Sequence, residues 1–290
     1  MIEPSLRVAD LSLGFKSWRA TTDVLHGISL DIMPGERVAL VGESGSGKSV
    51  TARIILGTLQ ENKSALVKGD LHFEGKNLNA MSFKDRRAQR GTDFSMIFQD
   101  PSSALNPVYK IGLLFREVLR RRDPKISQRD ADMRACAILN EVSIPDAQRV
   151  LGSYPFQLSG GMNQRVMIAM ALINKPKLLI ADEPGTALDV TVQAQTLRLM
   201  RDMVEDQGTS VLLISHNLGV VREFADRIYV IYKGRIVEQG PTRSLFENPG
   251  HAYTRALLSA IPRITGEGVP DIDDQSDSYF DPMVVHERAV

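Results

Sequence analysis

A short apolar run, Arg37-Val38-Ala39-Leu40-Val41, leads straight into Gly42-Glu43-Ser44-Gly45-Ser46-Gly47-Lys48-Ser49, and a helical pattern begins at about residue 49. Few features constrain a chain more. The eight residues match every fixed position of a phosphate-binding P-loop, in the strand-then-helix setting that the motif requires. Its glycines let the backbone curl until successive N–H groups face one anion. The helix that follows adds the positive end of its dipole. Gly42 to Lys48 are therefore expected to cradle a nucleoside triphosphate, with Lys48 on the β- and γ-phosphates, the Ser49 hydroxyl on Mg²⁺ and Val50 just behind. The loop alone does not choose among kinases, GTPases, recombinases and transport ATPases.

Other apolar runs without in/out alternation read as buried parallel strands: 177–181, 210–214, 227–231 and, as a fifth candidate, 93–98. Helical patterns lie between them, at about 49–58, 160–174, 190–206 and 218–225. Strand–helix alternation of this kind predicts an α/β domain with helices on both sheet faces. Residues 6–32 and 68–75 alternate apolar and polar around turn signals, which suggests antiparallel strands at a sheet edge. Residues 102–158 hold no strong strand and read as a helical insert punctuated by Pro107, Pro124, Pro145 and Pro155. Within it, 110–134 carries eight basic and four acidic residues, including Arg120-Arg121-Arg122. That stretch is either a solvated helix face or a docking surface. After Thr265 the chain turns acidic, with Glu267, Asp271, Asp273, Asp274, Asp277, Asp281 and Glu287, and is expected to be loosely ordered.

Composition narrows the function. With 35 Lys and Arg against 35 Asp and Glu among 290 residues, the chain does not read as one that coats nucleic acid or anionic lipid. No stretch approaches the ~20 apolar residues of a membrane helix, and the first ten residues lack the apolar core of a signal peptide. A single cysteine, Cys136, excludes an internal disulfide and any metal or iron–sulfur site with several Cys ligands.

Leu178-Leu179-Ile180-Ala181-Asp182-Glu183 is an apolar strand that ends in two acids. A strand from the sheet centre delivers its C-terminal residues where ligands of open α/β sheets bind. Asp182 fits a Mg²⁺-binding carboxylate. Glu183, expected on the opposite side of the strand, fits the general base that polarises water for attack on the γ-phosphate. His216, just past another buried strand, is placed to donate to the γ-phosphate or to position that water. Gln99, in Phe98-Gln99-Asp100-Pro101, would bring an uncharged oxygen to Mg²⁺ or water.

Leu158-Ser159-Gly160-Gly161-Met162-Asn163-Gln164-Arg165 opens another helix at a serine followed by two glycines. An ordinary serine cap would explain Ser159 but not the glycines. A second cradle is useful if two chains face each other and each completes the other's ATP site.

Taken together, the chain resembles the ATP-binding subunits of ABC transporters. LSGGMNQR is similar to the family signature; GESGSGKS, LLIADEP, FQDP, ALD and SHN resemble its P-loop, Walker B, Q-loop, D-loop and switch-histidine segments, in family order over roughly residues 5–262. QDPSSALNP, LSGGMNQRVMIAMAL, ALDVTVQAQ and HAYTRALLSAIP look like the dipeptide/oligopeptide importer ATPases, which carry a C-terminal extension. The resemblance implies a P-loop NTPase (RecA-like) α/β core with an antiparallel β edge subdomain, a helical insert and a short C-terminal extension. The expected boundaries are 1–101 and 159–248 for the core, 102–158 for the insert and 249–290 for the extension. It further implies that Ser159, Gly160 and Gly161 contact the γ-phosphate held by an opposite subunit, and that Asp189 communicates between the two sites. Gln99 would link nucleotide state to a membrane subunit, and an aromatic, Phe15 first and Trp18 second, would stack on adenine.

The implied cofactors are ATP and Mg²⁺. The implied partners are two membrane permease subunits, a second ABC ATPase chain (self or sister) and, indirectly, an extracytoplasmic binding protein, with no nucleic acid. The implied location is the cytoplasmic face of the bacterial inner membrane. A non-transport ABC ATPase, or a weakly hydrolysing partner in an asymmetric pair, stays as the alternative. Three departures from the family pattern stand out: Gly185 replaces Thr or another larger residue after Pro184, Ala252 replaces a usual Pro, and the C-terminal cysteine cluster of some relatives is missing.

Overall fold

Residues 3–18, 20–59, 62–185, 189–260 and 277–287 are described in a computed structural model, which divides into two units, Met1–Met81 with Leu212–Val290 and Ser82–Val211. Among these residues no helix is long and apolar enough to cross a membrane.

The first unit opens with β1 (Leu6–Lys16) and β2 (Thr21–Ile32), which pair antiparallel. Next come β3 (Arg37–Val41), α1 (Lys48–Ile55), β4 (Ala65–Phe73) and β5 (Lys76–Asn77). β2, β1, β4 and β5 form a four-stranded antiparallel sheet in that order. Its alternating pattern turns Leu6, Val8, Leu11, Leu13, Ile28, Leu30 and Leu71 inward, all at most 3% exposed, as period-2 strands with one buried face require.

The second unit begins with α2 (Phe83–Gln89), capped by the Ser82 hydroxyl, which accepts from Asp85 N–H. β6 (Phe94–Ile97) follows, then α3 (Pro101–Ala104), α4 (Ile111–Arg122), α5 (Gln128–Glu141) and α6 (Ala147–Gly152). α4 to α6 fall within residues 102–158, the stretch expected to be a helical insert. Ile111, Phe115 and Leu119 recur every four residues on α4 and are fully buried, as are Leu139 and Val150 on the helices packed beside it. Burying Phe115 alone contributes about 1.5–3 kcal/mol. α7 (Gly160–Leu172), β7 (Leu178–Asp182) and α8 (Val190–Gln207) complete the unit, and β7 pairs parallel with β6.

The basic run on α4 is solvent-exposed, and its guanidiniums also hold partners. Arg121 donates to the carbonyls of Arg87 and Arg90 (2.8 and 3.2 Å), and Arg122 to the carbonyl of Asn174 (2.5 Å). Two of its three guanidiniums thus donate to carbonyls at the C-terminal ends of α2 and α7, where helix termini run short of donors. Arg120 pairs with Glu117 one turn earlier.

The chain returns to the first unit within β8 (Ser210–Ser215), followed by α9 (Leu218–Phe224), β9 (Arg227–Tyr232), β10 (Arg235–Pro241), α10 (Thr242–Glu247), α11 (Ala252–Ser259) and β11 (Val284–Val285). β8 and β9 flank β3, and β9 pairs parallel with it. β10 runs antiparallel to β9, and β11 parallel to β10. β3, β8 and β9 are almost wholly buried, matching their continuous apolar runs.

The C-terminal stretch corrects an expectation. Glu267, Asp271, Asp273 and Asp274 lie outside the described residues, but 277–287 is placed, with a helical turn at Asp277–Phe280 and β11 hydrogen-bonded to the sheet. Charge counts missed its aromatic anchor: Tyr279, 6% exposed, meets Tyr232 and Tyr253 edge-on, each at 5.4 Å between ring centroids. Ala252 opens α11 directly after the capping residue His251. At that position the family's Pro and an Ala are both accommodated, since the first helical N–H needs no partner within the helix.

Candidate active site

In the first unit, the buried strand β3 delivers the chain into the loop at Gly42 and α1 leaves it at Lys48. Side chains are excluded at two points. A Cβ on Gly42 would land on the Ile231 carbonyl oxygen, and Gly47, the residue before α1, sits at φ 109°. The loop is closed on itself by Lys48, 6% exposed, whose Nζ donates to the carbonyls of Gly42 (2.8 Å) and Glu43 (2.6 Å). Ser46 N–H donates to Glu43 O (3.2 Å), and Gly234 N–H donates to Ser46 O (3.0 Å). The Ser46 hydroxyl is buried without a hydrogen-bond partner. An ammonium held over a curled, glycine-permitted backbone beside an orphan hydroxyl suits an anion with several oxygens. Ser49 and Val50, half-buried, stand in the first turn of α1, while Ser44 and Gly45 are exposed.

The same unit carries His216 and the aromatic candidates. His216 is exposed in the turn between β8 and α9, beside Asn217, whose side chain caps α9 through the N–H groups of Gly219 and Val220. Phe15 is half-buried near the end of β1, opposite Thr22 and Ala65, and Trp18, in the loop after it, is 88% exposed.

In the second unit, β6 and β7 end side by side, with Ile97 opposite Ala181. Gln99 and Glu183 leave the sheet at the same end, and the Gln99 amide nitrogen donates to Glu183 Oε2 at 3.0 Å. The alternation argument for Glu183 does not carry over. β7 stops at Asp182, and Glu183 takes φ 49°, so its carboxylate reaches Gln99 by leaving the strand. A left-handed glutamate costs about 1–2 kcal/mol, a strain of the kind found at functional sites. Gly185 follows at φ 89°, a backbone that the family's Thr would adopt only with strain. Of the D-loop, residues 186–188 lie outside the described residues.

Ser159 caps α7 by accepting from Met162 N–H (3.3 Å), and Asp189 caps α8 by accepting from Val192 N–H (2.9 Å). The two helix starts are neighbours. A methyl at Gly161 would press to 3.3 Å from Val192 Cγ1, which accounts for a glycine that capping alone does not. Ser159, Gly160 and Asp189 are all exposed.

The profile of the ABC transporter family matches residues 25–186, more than half of the chain. The chain belongs to the ABC transporter family. A second profile, for the C-terminal region of oligopeptide/dipeptide transporters, matches residues 237–278 of this ABC protein. It is 48% identical over 274 residues to the peptidoglycan transport ATP-binding protein YejF of Agrobacterium fabrum, across 94% of this chain but 49% of that one, so it spans about half the length of that relative. It is 44% identical over 267 residues to the oligopeptide transport ATP-binding protein OppD of Bacillus subtilis, across 92% and 74% of the two chains. A dimeric ATP-binding cassette solved in a post-hydrolysis state with ADP and Pi matches with a TM-score of 0.72 at 26% identity, over 82% of this chain and 99% of that one.

One contact of the ABC cassette escaped sequence reasoning. The Tyr253 hydroxyl accepts the Glu43 N–H at 3.1 Å. Its only signal was the segment HAYTRALLSAIP, which carried a family resemblance but no role.

Proposed function

We propose that this chain is the ATP-binding, ATP-hydrolysing subunit of an ABC importer that takes up peptides or a related small solute through partner permeases. One observation carries the reading: a single chain joins the ABC transporter match at 25–186 to the oligopeptide/dipeptide transporter C-terminal match at 237–278. The relatives' names, peptidoglycan and oligopeptide transport, support the cargo class.

In this reading Gly42 to Val50 hold the triphosphate, with the Lys48 ammonium on its oxygens. Ser49 and Asp182 are the ligands for Mg²⁺, with Gln99 as a further one. When bound, the ion neutralises charge on the β- and γ-oxygens. Glu183, oriented by Gln99, accepts the proton of the attacking water, and His216 donates to the γ-phosphate. Ser159, Gly160 and Gly161 close on the nucleotide of a second ATPase chain, and Asp189 links the two sites. ATP stabilises the closed pair and hydrolysis releases it, a population shift that moves the permeases between access states at the cytoplasmic face of the inner membrane.

The helical insert offers the docking surface. Val108 (70% exposed) and Tyr109 (46%) precede α4, whose start is tied by Ile111 N–H to Ser153 O; Lys110 Nζ lies 5.9 Å from the Tyr154 ring, on which the 71%-exposed Phe156 stacks at 5.4 Å. Exposed aromatic and aliphatic side chains grouped this way mark an interface. The Val108→Asp variant, co-expressed with candidate partner permeases that co-purify with the wild type, is expected to lose that co-purification while the isolated chain keeps its ATP turnover within about twofold. Retained co-purification would move the docking site elsewhere.

Adenine stacking is assigned to Phe15. Truncation to Ala should cost about 1–3 kcal/mol of ATP affinity, read by titration with a fluorescent nucleotide, while Trp18→Ala leaves the affinity in place. The reverse result would transfer the role to Trp18.

A further inference from the structure

The peptide between Gly42 and Glu43 is gripped from both sides. Its carbonyl accepts the Lys48 ammonium at 2.8 Å, and its N–H donates to the Tyr253 hydroxyl at 3.1 Å. A trans peptide is planar, with C=O and N–H pointing in opposite directions. A hydroxyl that fixes the N–H therefore also fixes where the carbonyl waits for the lysine. Tyr253 lies on α11, 210 residues further along the chain, and belongs to the C-terminal region rather than to the nucleotide-binding core.

The tyrosine is itself immobilised. Its ring is fully buried, 4.4 Å from that of Tyr232 and edge-on to Tyr279. The turn before it hangs on Glu238 of β10, a carboxylate with no exposed surface that accepts from Gly250 N–H (2.7 Å) and His251 N–H (3.1 Å) and meets His286 Nε2 at 2.6 Å. His251 Nδ1 in turn accepts the Tyr253 N–H at 3.2 Å. Burial pushes the Glu238 carboxyl up, yet the surrounding hydrogen bonds outweigh it and hold the group below its ordinary value. The anchor is thus ionised near neutral pH. The stability it contributes is present above its unfolded-state pKa and is lost as pH falls through the depressed folded one.

We propose that Tyr253 is a positioning residue for ATP, through which the C-terminal region sets the geometry of the P-loop and of Lys48. The proposal rests on the reading of residues 42–49 as the triphosphate cradle. It gives the extension a task inside this chain, whatever it touches in an assembled transporter.

The test compares the full-length wild type with Tyr253→Phe, which keeps the ring and deletes the hydroxyl, and with Lys48→Ala. Tyr253→Phe is expected to raise the KM for ATP roughly three- to tenfold, the effect of one neutral hydrogen bond. Its kcat should fall by less than KM rises, and its nucleotide-free melting temperature should stay within about 2 °C of wild type, because the packing is retained. A KM within twofold of wild type overturns the proposal, whether or not the melting temperature drops. A purely structural tyrosine would move the melting temperature and not the KM. Lys48→Ala separates the two ideas: if it loses ATP binding while Tyr253→Phe does not, only the tyrosine's role fails. If Lys48→Ala binds ATP like wild type, the cradle reading itself fails.

Discussion

Glu183→Gln is expected to lower steady-state ATP turnover by at least a hundredfold while ATP binding survives. A positioned general base contributes roughly 10²–10⁴-fold to a rate, and the amide cannot accept the proton of the attacking water. The substitution preserves shape, so the chain is expected to stay folded. Phosphate release and nucleotide affinity, measured on the same preparation, decide the matter. Turnover within tenfold of wild type would remove Glu183 from the role of base, and loss of both activities would point to misfolding instead. The 3.0 Å bond from Gln99 adds a graded expectation. Gln99→Ala should fall between the two proteins, because it removes one hydrogen bond to the carboxylate and leaves the carboxylate itself in place.

The largest loss of stability is expected at Arg227, at the start of β9. Its side chain is 9% exposed and its guanidinium serves six acceptor atoms at once: Glu36 Oε1 and Oε2 (2.8 and 3.0 Å), both carboxylate oxygens and the carbonyl of Asp31, and the Tyr229 hydroxyl (2.6 Å). The Tyr229 hydroxyl also donates to Asp31 Oδ1 at 2.9 Å. Burial alone would lower the arginine's pKa, but Glu36 and Asp31 push it above the ordinary value, while burial pushes the Tyr229 phenol up. Removing the cation leaves two partly buried carboxylates facing a tyrosine with nothing between them. Breaking a buried pair from one side costs about 3–5 kcal/mol, so Arg227→Ala should unfold at markedly lower urea concentration than wild type. Arg227→Lys should recover only part of the loss, since one ammonium cannot fork to both acids. A shift of less than about 1 kcal/mol for the alanine variant would show that the network contributes little.

How much was legible in advance follows from how local each feature is. The strand into Gly42–Ser49, the apolar run ending at Asp182 and Glu183, and the helix starting after Ser159 each occupy fewer than about fifteen neighbouring residues. Periodicity and fixed spacing therefore reveal them. The same locality hid partners where charge was counted. Arg121 and Arg122 do lie on an exposed basic face, but they also serve carbonyls 31 to 52 residues away in the chain. The acidic C-terminal stretch reads as loose until Tyr279 is seen buried among other rings.

By itself, the sequence determined the α/β class and the family and located the glycine-rich loop and the paired acids, because short-range patterns encode all four. Only the tertiary structure decided that Gln99 holds Glu183 from 84 residues away, that Arg227 gathers Asp31 and Glu36 from more than 190, and that Tyr253 reaches the P-loop across 210. Side chains so far apart carry no spacing rule between them. They meet only because buried strands bring distant segments into register, and the entropy of closing such long loops grows slowly enough with length for single hydrogen bonds to form across them.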